Sequence, residues 1–573
     1  MSTTKFEFLP NEILLQYFRY LNIIDIFYSF DQLNHRFNSL IRTIPFCLNF
    51  QNIQNKFQCE EFCQKLSADE TIRSHLYSLY LSNANTSYPV HLFLSKFPLL
   101  QFDHLCSLTL HKITPNNWKC IRTKLSSIPK LCSFQMIDYS RQLDDLIFVL
   151  PISKLQTLII PDQLVLMPIS FLHCTSLMHV SINTCDLYDL FILLNKASKL
   201  NYLKIEYVND RNMELVDSKY IDNSVSNLRT LHINQFLSKA HYLFMLLKRT
   251  PNLENLAIFH NKDINCINAY EWQNFITSSL PHLKNFKFQF YVNFFSRNNG
   301  VEQRLKDFQS SFWFIEHHWY TEYIISQTSA LIYTIPYSFD KFRLQPFIDR
   351  HYNELIGHLD TFNNVKDLTL HSQKLTEKSQ FYFSNIVCLS FEGTYVTYDV
   401  DNQVKSGELK YLQTMINLSN IKHLNLFDVV RSKSKDVFEE LFQSTTQLSS
   451  LKIKYCDLIY WFDDDDDELC KYLNKIIKKL DISRSLLNNS DQLKQLCEIF
   501  SNLEQLKCFS NASAALLLIK HLPKLTHLKV HLYSEDDQIS GIKEEIEKLE
   551  LDTTAEFDND NSPKILFVWI NRN

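Results

Sequence analysis

The sequence predicts an α/β chain in which three short N-terminal helices lead into a solenoid, with parallel strands on a concave face and helices on a convex face. Leu-x-Leu pairs recur at spacings mostly between about 21 and 30 residues. Segments with apolar residues at helical spacing separate them. Ahead of the first pair stand three brief apolar-periodic stretches that end near Ile41.

The first helix is expected to open at Leu9-Pro10-Asn11-Glu12-Ile13-Leu14. Proline suits the first helical position, where an N–H has no partner, and Glu12 sits in the first turn, where the helix dipole favours negative charge. Ile13, Leu14, Tyr17, Phe18 and Leu21 then recur on one broad apolar face. Asn22 and Asp25 are candidate caps of a second helix carrying Ile26, Phe27 and Phe30. Asn34 is the candidate cap of a third carrying Phe37, Leu40 and Ile41. Three helices this short make little core alone, so they need a partner.

Residues 5–45 resemble an F-box. The resemblance is carried by the Leu9–Glu12 opening, the pair Ile13 and Leu14, the helix-ending Leu21, Asp25 with Ile26, and Arg36 with Phe37. The tryptophan that often comes next in that family is absent, and Ile44 and Phe46 are the nearest bulky residues. The resemblance implies docking onto the S-phase-kinase-associated adaptor of cullin-RING ubiquitin ligases, through Leu9, Pro10, Ile13, Leu14, Phe18, Leu21 and Ile26. An amphipathic opening helix also serves as the N-terminal cap of the body behind it, and that reading stays open.

After the helices the chain repeats itself. Residues Leu177–Leu187 and Leu448–Leu458 resemble the leucine-rich repeat pattern L-x-x-L-x-L-x-x-N/C-x-L, and Val365–Leu375 obeys it with Gln373 at the Asn/Cys position. Weaker copies start near Leu105, Leu131, Leu155, Leu200, Leu228, Leu253, Leu283, Ile386, Ile421, Leu503 and Leu525. The alternating aliphatics share one side of a short strand, and the polar positions between them share the other. Val180, Leu203, Leu231, Leu256, Leu368 and Leu451, at the second aliphatic position, should therefore point inward. Cys185 and Cys456 should fill the corner after the strand. Tyr188–Lys196, Tyr242–Arg249, Val437–Phe442 and Leu493–Phe500 read as the intervening helices. Pro251, Pro281 and Pro523 end a helix before the next strand begins. An unbroken array is expected from about residue 70 to the C-terminus.

Residues 294–362 break the period and read as an insertion or modified repeat. Phe308, Phe312, Ile315, Trp319 and Tyr323 lie at helical spacing, and Leu331–Tyr337 reads as a strand stopped by Pro336. This aromatic segment is loosely similar to the divergent F-box sets of bdelloid rotifers. The run Asp463–Glu468 repels itself and reads as a solvated loop, or as a lure for a basic partner. Residues 535–550 read as a surface helix, 559–563 as a loop and Ile565–Ile570 as a last strand.

Composition excludes several classes. With 45% apolar and 21% charged residues, the 573-residue chain has ample core for globular folding. Its formal net charge of -5 gives no general reason to expect nucleic acid. No apolar run is long enough to cross a bilayer and no basic leader opens the chain, so an intracellular place, cytoplasmic or nuclear, is expected. The fourteen cysteines are scattered, which favours reduced thiols over a disulfide framework. The five glycines never lie close enough to build a phosphate-cradling loop, and no Gly-x-Ser-x-Gly occurs. Cys59 with Cys63 lacks a second ligand pair. His317 and His318 point about 100° apart on a helix, so neither set is expected to hold a metal. No catalytic group and no cofactor are expected.

The two resemblances together imply a substrate-recognition subunit of a cullin-RING ligase, non-catalytic itself. They divide the chain into an F-box at 1–48, a solenoid at 49–293, the insertion at 294–362 and a second solenoid stretch at 363–573. A protein target would meet the concave side, lined by Ser181, Asn183, Lys204, Glu206, His232, Asn234, Thr369, His371, Lys452 and Lys454. These residues predict a face more basic than the net charge suggests. A scaffold or inhibitor acting by protein binding outside any ligase shares the solenoid and stands as the alternative.

Overall fold

The computed structural model describes residues 6–18, 20–51, 56–83, 88–138, 149–161, 174–210, 227–261, 266–294, 299–326, 328–344, 348–351, 361–371, 381–392, 406–428, 435–462, 467–487, 489–532, 541–549, 552–558 and 564–571. It is a mixed α/β chain whose contacts divide it into two compact units, Met1–Val292 and Asn293–Asn573.

The first unit opens with helices α1 (Asn11–Phe18), α2 (Ile23–Phe30) and α3 (His35–Ile41). Asn34 caps α3 as expected, accepting from the Phe37 N–H at 2.9 Å. Asn22 does not cap α2. Its amide reaches across the chain instead, donating to the Asn49 carbonyl at 2.9 Å and accepting from the Asn49 N–H at 3.2 Å, so it ties the helices to the first strand. Leu14, Phe18, Ile26, Phe27, Phe37, Leu40 and Ile41 are buried together. Helix α4 (Lys56–Ala68) meets them through Phe62, whose ring lies 6.0 Å from that of Phe27. Arg42 bonds Asp31 at 3.4 Å and, just past α4, Asp69 at 2.9 Å, a second tie between the three helices and the rest of the unit.

The first unit holds ten strands: β1 (Phe46–Asn49), β2 (Leu76–Ser82), β3 (Ser107–His111), β4 (Ser133–Ile137), β5 (Thr157–Ile160), β6 (His179–Asp186), β7 (Tyr202–Asn209), β8 (Thr230–Phe236), β9 (Asn255–Asn261) and β10 (Asn285–Asn293). They pair in sequence order, each parallel to the next. The sheet thus begins at β1, inside the stretch assigned by sequence to the helical module. Parallel neighbours need a crossover of a dozen or more residues, which the repeat spacing supplies. The register stacks equivalent residues: Leu79, Leu108, Phe134, Leu158, Val180, Leu203, Leu231, Leu256 and Phe286 form one buried row. Burying each such side chain contributes about 1.5–3 kcal/mol, which is what repeats gain by stacking. Helices Leu187–Lys196 and Ala240–Leu247 fall where the amphipathic spacing put them, and Ala240–Leu247 and Ala269–Ser279 end before Pro251 and Pro281. Cys185 is buried, but within β6 rather than in a corner past it: the strand runs on to Asp186, and Cys185 stands opposite Val208 of β7.

The second unit departs from an unbroken array. Strands β11 (Thr321–Ile325), β12 (Ser329–Thr334) and β14 (Asp349–His351) are antiparallel, with β11 in the middle. The β11–β12 link is too short for a crossover, so only a hairpin is possible. The aromatic spacing of 308–323 does not make one helix. Helix Asn299–Lys306 ends in a 3₁₀ turn at Asp307–Gln309, a π-helical turn covers Phe312–Glu316, and Tyr323 lies in β11. The rings of Phe308, Trp313 and Trp319 cluster with centroids 4.8 and 5.9 Å apart. Cluster packing, rather than one helical face, accounts for that spacing. The strand predicted before Pro336 is present as β12.

From β13 (Lys341–Leu344) parallel order resumes through β15 (Asp367–His371), β16 (Cys388–Glu392), β17 (His423–Asp428), β18 (Ser450–Lys452), β19 (Lys479–Leu487), β20 (Gln505–Ser510) and β21 (His527–Leu532). The array ends antiparallel, with β23 (Lys564–Asn571) pairing β21 and β22 (Asp552–Asp558). Leu368 and Leu451 point inward. Cys456 does not: β18 stops at Lys452, a helix starts at Tyr455, and Tyr455 takes the buried place while Cys456 is exposed. Asp467 and Glu468 begin helix Asp467–Ile476, where the dipole favours them; 463–466, Gln373, 535–540 and 559–563 lie outside the described residues. The C-terminal surface helix is Ile542–Glu547. Among the described residues no helix is long and apolar enough to cross a membrane.

Candidate functional site

Two surfaces are built from the predicted site residues. The first lies on the N-terminal helices. Arg36 on α3 holds the segment before α1 in place, donating to Asn11 Oδ1 at 2.8 Å and to the carbonyls of Glu7 and Leu9. Of the seven residues expected to meet a partner, Pro10, Ile13 and Leu21 are exposed and Leu9 is half-buried. Leu14, Phe18 and Ile26 are not presented outward. They fill the core between the helices, because the apolar face of α1 is wider than the contact it makes with its neighbours and its centre turns inward.

Residues that spacing alone did not single out are exposed nearby: Phe6, Phe8, Tyr20, Tyr28 and Leu33, Tyr20 to 90%, together with Tyr17 of the predicted apolar face. Tyr17 stands one turn beyond Ile13 on the same face of α1, and the Phe6 ring lies 6.1 Å from its own. Among the described residues, eight of the eighteen exposed large apolar side chains lie between Phe6 and Leu33, so the patch is a local concentration and not the scatter every surface carries.

The second surface is the half-exposed face of each sheet. In the first unit Ser181, Lys204 and His232 stand side by side in register on β6, β7 and β8. Lys204 is paired with Glu206 at 2.8 Å, and Glu206 also accepts from the Asn234 amide. Burial, then Lys204 and Lys287, hold the His232 imidazole below its usual range. Asn183 is half-buried and Ser181 is nearly covered. This face is therefore close to charge-balanced at Lys204, contrary to the basic surface expected there. In the second unit Thr369 and Lys452 lie in one ladder with Arg343, Ser390, Asn425, Asp481, Lys507 and Lys529, and Lys454 lies just past β18. His371 is in β15, with its side chain outside the described residues.

Sequence reading missed a polar line across three strands of the first unit. Ser82 Oγ lies 3.1 Å from His111 Nδ1, and His111 Nε2 lies 3.2 Å from Asp138 Oδ2. The residue types are those of a nucleophilic triad, but Ser82 is 4% exposed, which shuts its hydroxyl away from any substrate. Only the register brings the three together, from positions 27 and 29 residues apart. His317 stacks on Trp319 at 4.2 Å. Among the described residues no three His, Cys, Asp or Glu side chains are placed to hold a metal ion.

No protein-family model and no curated protein matches the chain.

Proposed function

We propose that this protein is a substrate-recognition subunit of a cullin-RING ubiquitin ligase, an F-box protein with leucine-rich repeats. The observation that carries the reading is the concentration of exposed apolar side chains between Phe6 and Leu33, on the first two helices and the segments flanking them, beside the Leu9–Glu12 opening that resembles the F-box. Ile13, Tyr17, Leu21, Pro10 and Leu9 meet the adaptor, and Leu14, Phe18 and Ile26 act behind them as core. A protein target docks on the half-exposed sheet face. The chain catalyses nothing: holding target and ubiquitin-conjugating enzyme in one assembly raises the local concentration of target lysines near the charged enzyme. Capture of recombinant S-phase-kinase-associated adaptor by the full chain, with and without Ile13→Ala and Tyr17→Ala, tests this directly.

One observation favours the scaffold reading. Asn22, Arg42 and Phe27 fasten the helices to the first strand and to the elements just after it, as an N-terminal cap requires. A cap needs no exposed apolar patch, so adaptor capture separates the two.

A further inference from the structure

We propose that Cys106 and Cys132 form a reversible dithiol–disulfide pair, a modification site that a hydroperoxide closes at the edge of the first unit's half-exposed sheet face. The site is independent of the adaptor and target readings. Cys106 and Cys132 stand one residue ahead of β3 and β4, whose register pairs Ser107 with Ser133. The Cys132 and Ser133 N–H groups both donate to the Cys106 carbonyl at 2.9 Å, so the two backbones run alongside each other at that step. The Cys132 thiol donates to the same carbonyl at 3.5 Å, and the Cys106 thiol is hydrogen-bonded to Cys132 and to the Tyr77 hydroxyl. Neighbouring strands lie about 4.8 Å apart, inside the range of roughly 4.4–6.8 Å between Cα atoms over which a disulfide forms without moving the backbone.

Access and neighbours set this pair apart. Both thiols are half-buried, whereas Cys59 and Cys63, one turn apart on α4, are 0% exposed and shut away from any oxidant. Cys47 is exposed on β1, with β2 and its Tyr77 between it and Cys106. Burial first, then Cys132, hold the Cys106 thiol above its usual range, against the smaller pull of Lys130 and Tyr77. The proton therefore stays on Cys106, and the Cys132 sulfur is the one that attacks. It takes the terminal oxygen of the hydroperoxide: the O–O bond breaks, an S–O bond forms, and the alcohol, or water from hydrogen peroxide, leaves with the thiol proton. The Cys106 sulfur, giving up its own proton, then displaces water from the Cys132 sulfenic acid, so the S–O bond breaks as the S–S bond forms. Two thiols have lost two electrons and two protons, and the peroxide has taken them up. A small dithiol returns both. The bridge joins positions 26 residues apart and closes a ring around β3 and helix Pro115–Arg122, fastening one repeat to the next.

The test treats the full, reduced chain with hydrogen peroxide, blocks the remaining thiols with iodoacetamide and maps the peptides by mass spectrometry. Cys106 and Cys132 should escape alkylation together and appear as one linked peptide pair, lighter by the lost hydrogens, and dithiothreitol should restore both thiols. Cys47→Ser should leave that link unchanged. In Cys106→Ser the Cys132 sulfenic acid should persist and react with dimedone, about tenfold more than Cys106 does in Cys132→Ser. The link itself is read on the unaltered chain, so a variant that misfolds does not obscure it. Cys106 and Cys132 both still alkylated after peroxide, or a link from either to any other cysteine, would overturn the assignment. Equal dimedone labelling in the two serine variants would overturn the order of attack.

Discussion

Replacing Arg350 by Met should destabilise the second unit by about 3–5 kcal/mol, because it strands a buried carboxylate. The Arg350 and Glu322 side chains are 1% and 2% exposed. Arg350 Nη2 and Nε donate to the same oxygen, Glu322 Oε2, at 2.7 and 2.9 Å. The Tyr333 hydroxyl donates to that oxygen too, at 3.1 Å, and the Thr361 hydroxyl donates to Oε1 at 3.0 Å. The guanidinium also lies 5.1 and 5.3 Å from the Phe362 and Phe381 ring centres. Tyr333 and Thr361 stay behind in the single variant and each recovers one hydrogen bond's worth, roughly 1 kcal/mol. Removing both charges, as Glu322→Met with Arg350→Met, leaves those hydroxyls unpaired, at a cost of about 1–3 kcal/mol. The coupling between the two sites should therefore be about 2 kcal/mol or more in favour of the pair. Urea denaturation monitored by circular dichroism and tryptophan fluorescence measures all four corners of this cycle. A single-variant cost under about 1 kcal/mol, or a double cost equal to the sum of the singles, would refute the reasoning.

Two further outcomes rest on burial and charge. Leu14→Ala and Phe18→Ala, at core positions, should cost about 2–5 kcal/mol in stability, whereas Tyr17→Ala should change stability by no more than about 0.5 kcal/mol; thermal melts of the three variants check this. Burial and the neighbouring Asp186 raise the Asp189 carboxyl to about 6. Its ionised form is thus penalised in the fold, so stability falls as pH rises from roughly 4, the unfolded value, to about 6. Asp189→Asn should raise the melting temperature at pH 7 and leave it nearly unchanged at pH 4; equal effects at both would contradict the assignment.

Much of the fold was legible because repeat stacking writes itself into the chain. The second aliphatic of each copy had to be buried for neighbouring strands to pack, and Val180, Leu203, Leu231, Leu256, Leu368 and Leu451 are. The insertion was legible only as a loss of period. Its aromatic spacing fits a helix as well as a cluster, and short hairpin links outweigh helical propensity there. Cys456 was misplaced because the pattern does not record where β18 stops. At the candidate site, spacing identified an apolar face on α1 but not which part faces the core, since that depends on how α2 and α3 close over Leu14 and Phe18. The pairing of Lys204 with Glu206 and the engagement of Asp481 by Lys507 depend on side-chain placement across and along strands. Residue type alone therefore overstated the positive charge of the first unit's face.

The central claim is that the exposed residues of the N-terminal helices hold the ligase adaptor. Its most direct measurement is the affinity of the full chain for the purified adaptor, before and after Ile13→Ala with Tyr17→Ala. The account predicts measurable binding that drops about thirtyfold or more in the double variant, as loss of a central anchor worth about 2 kcal/mol requires, with an unchanged thermal melt. No binding by the intact chain, or equal binding by the variant, would contradict it.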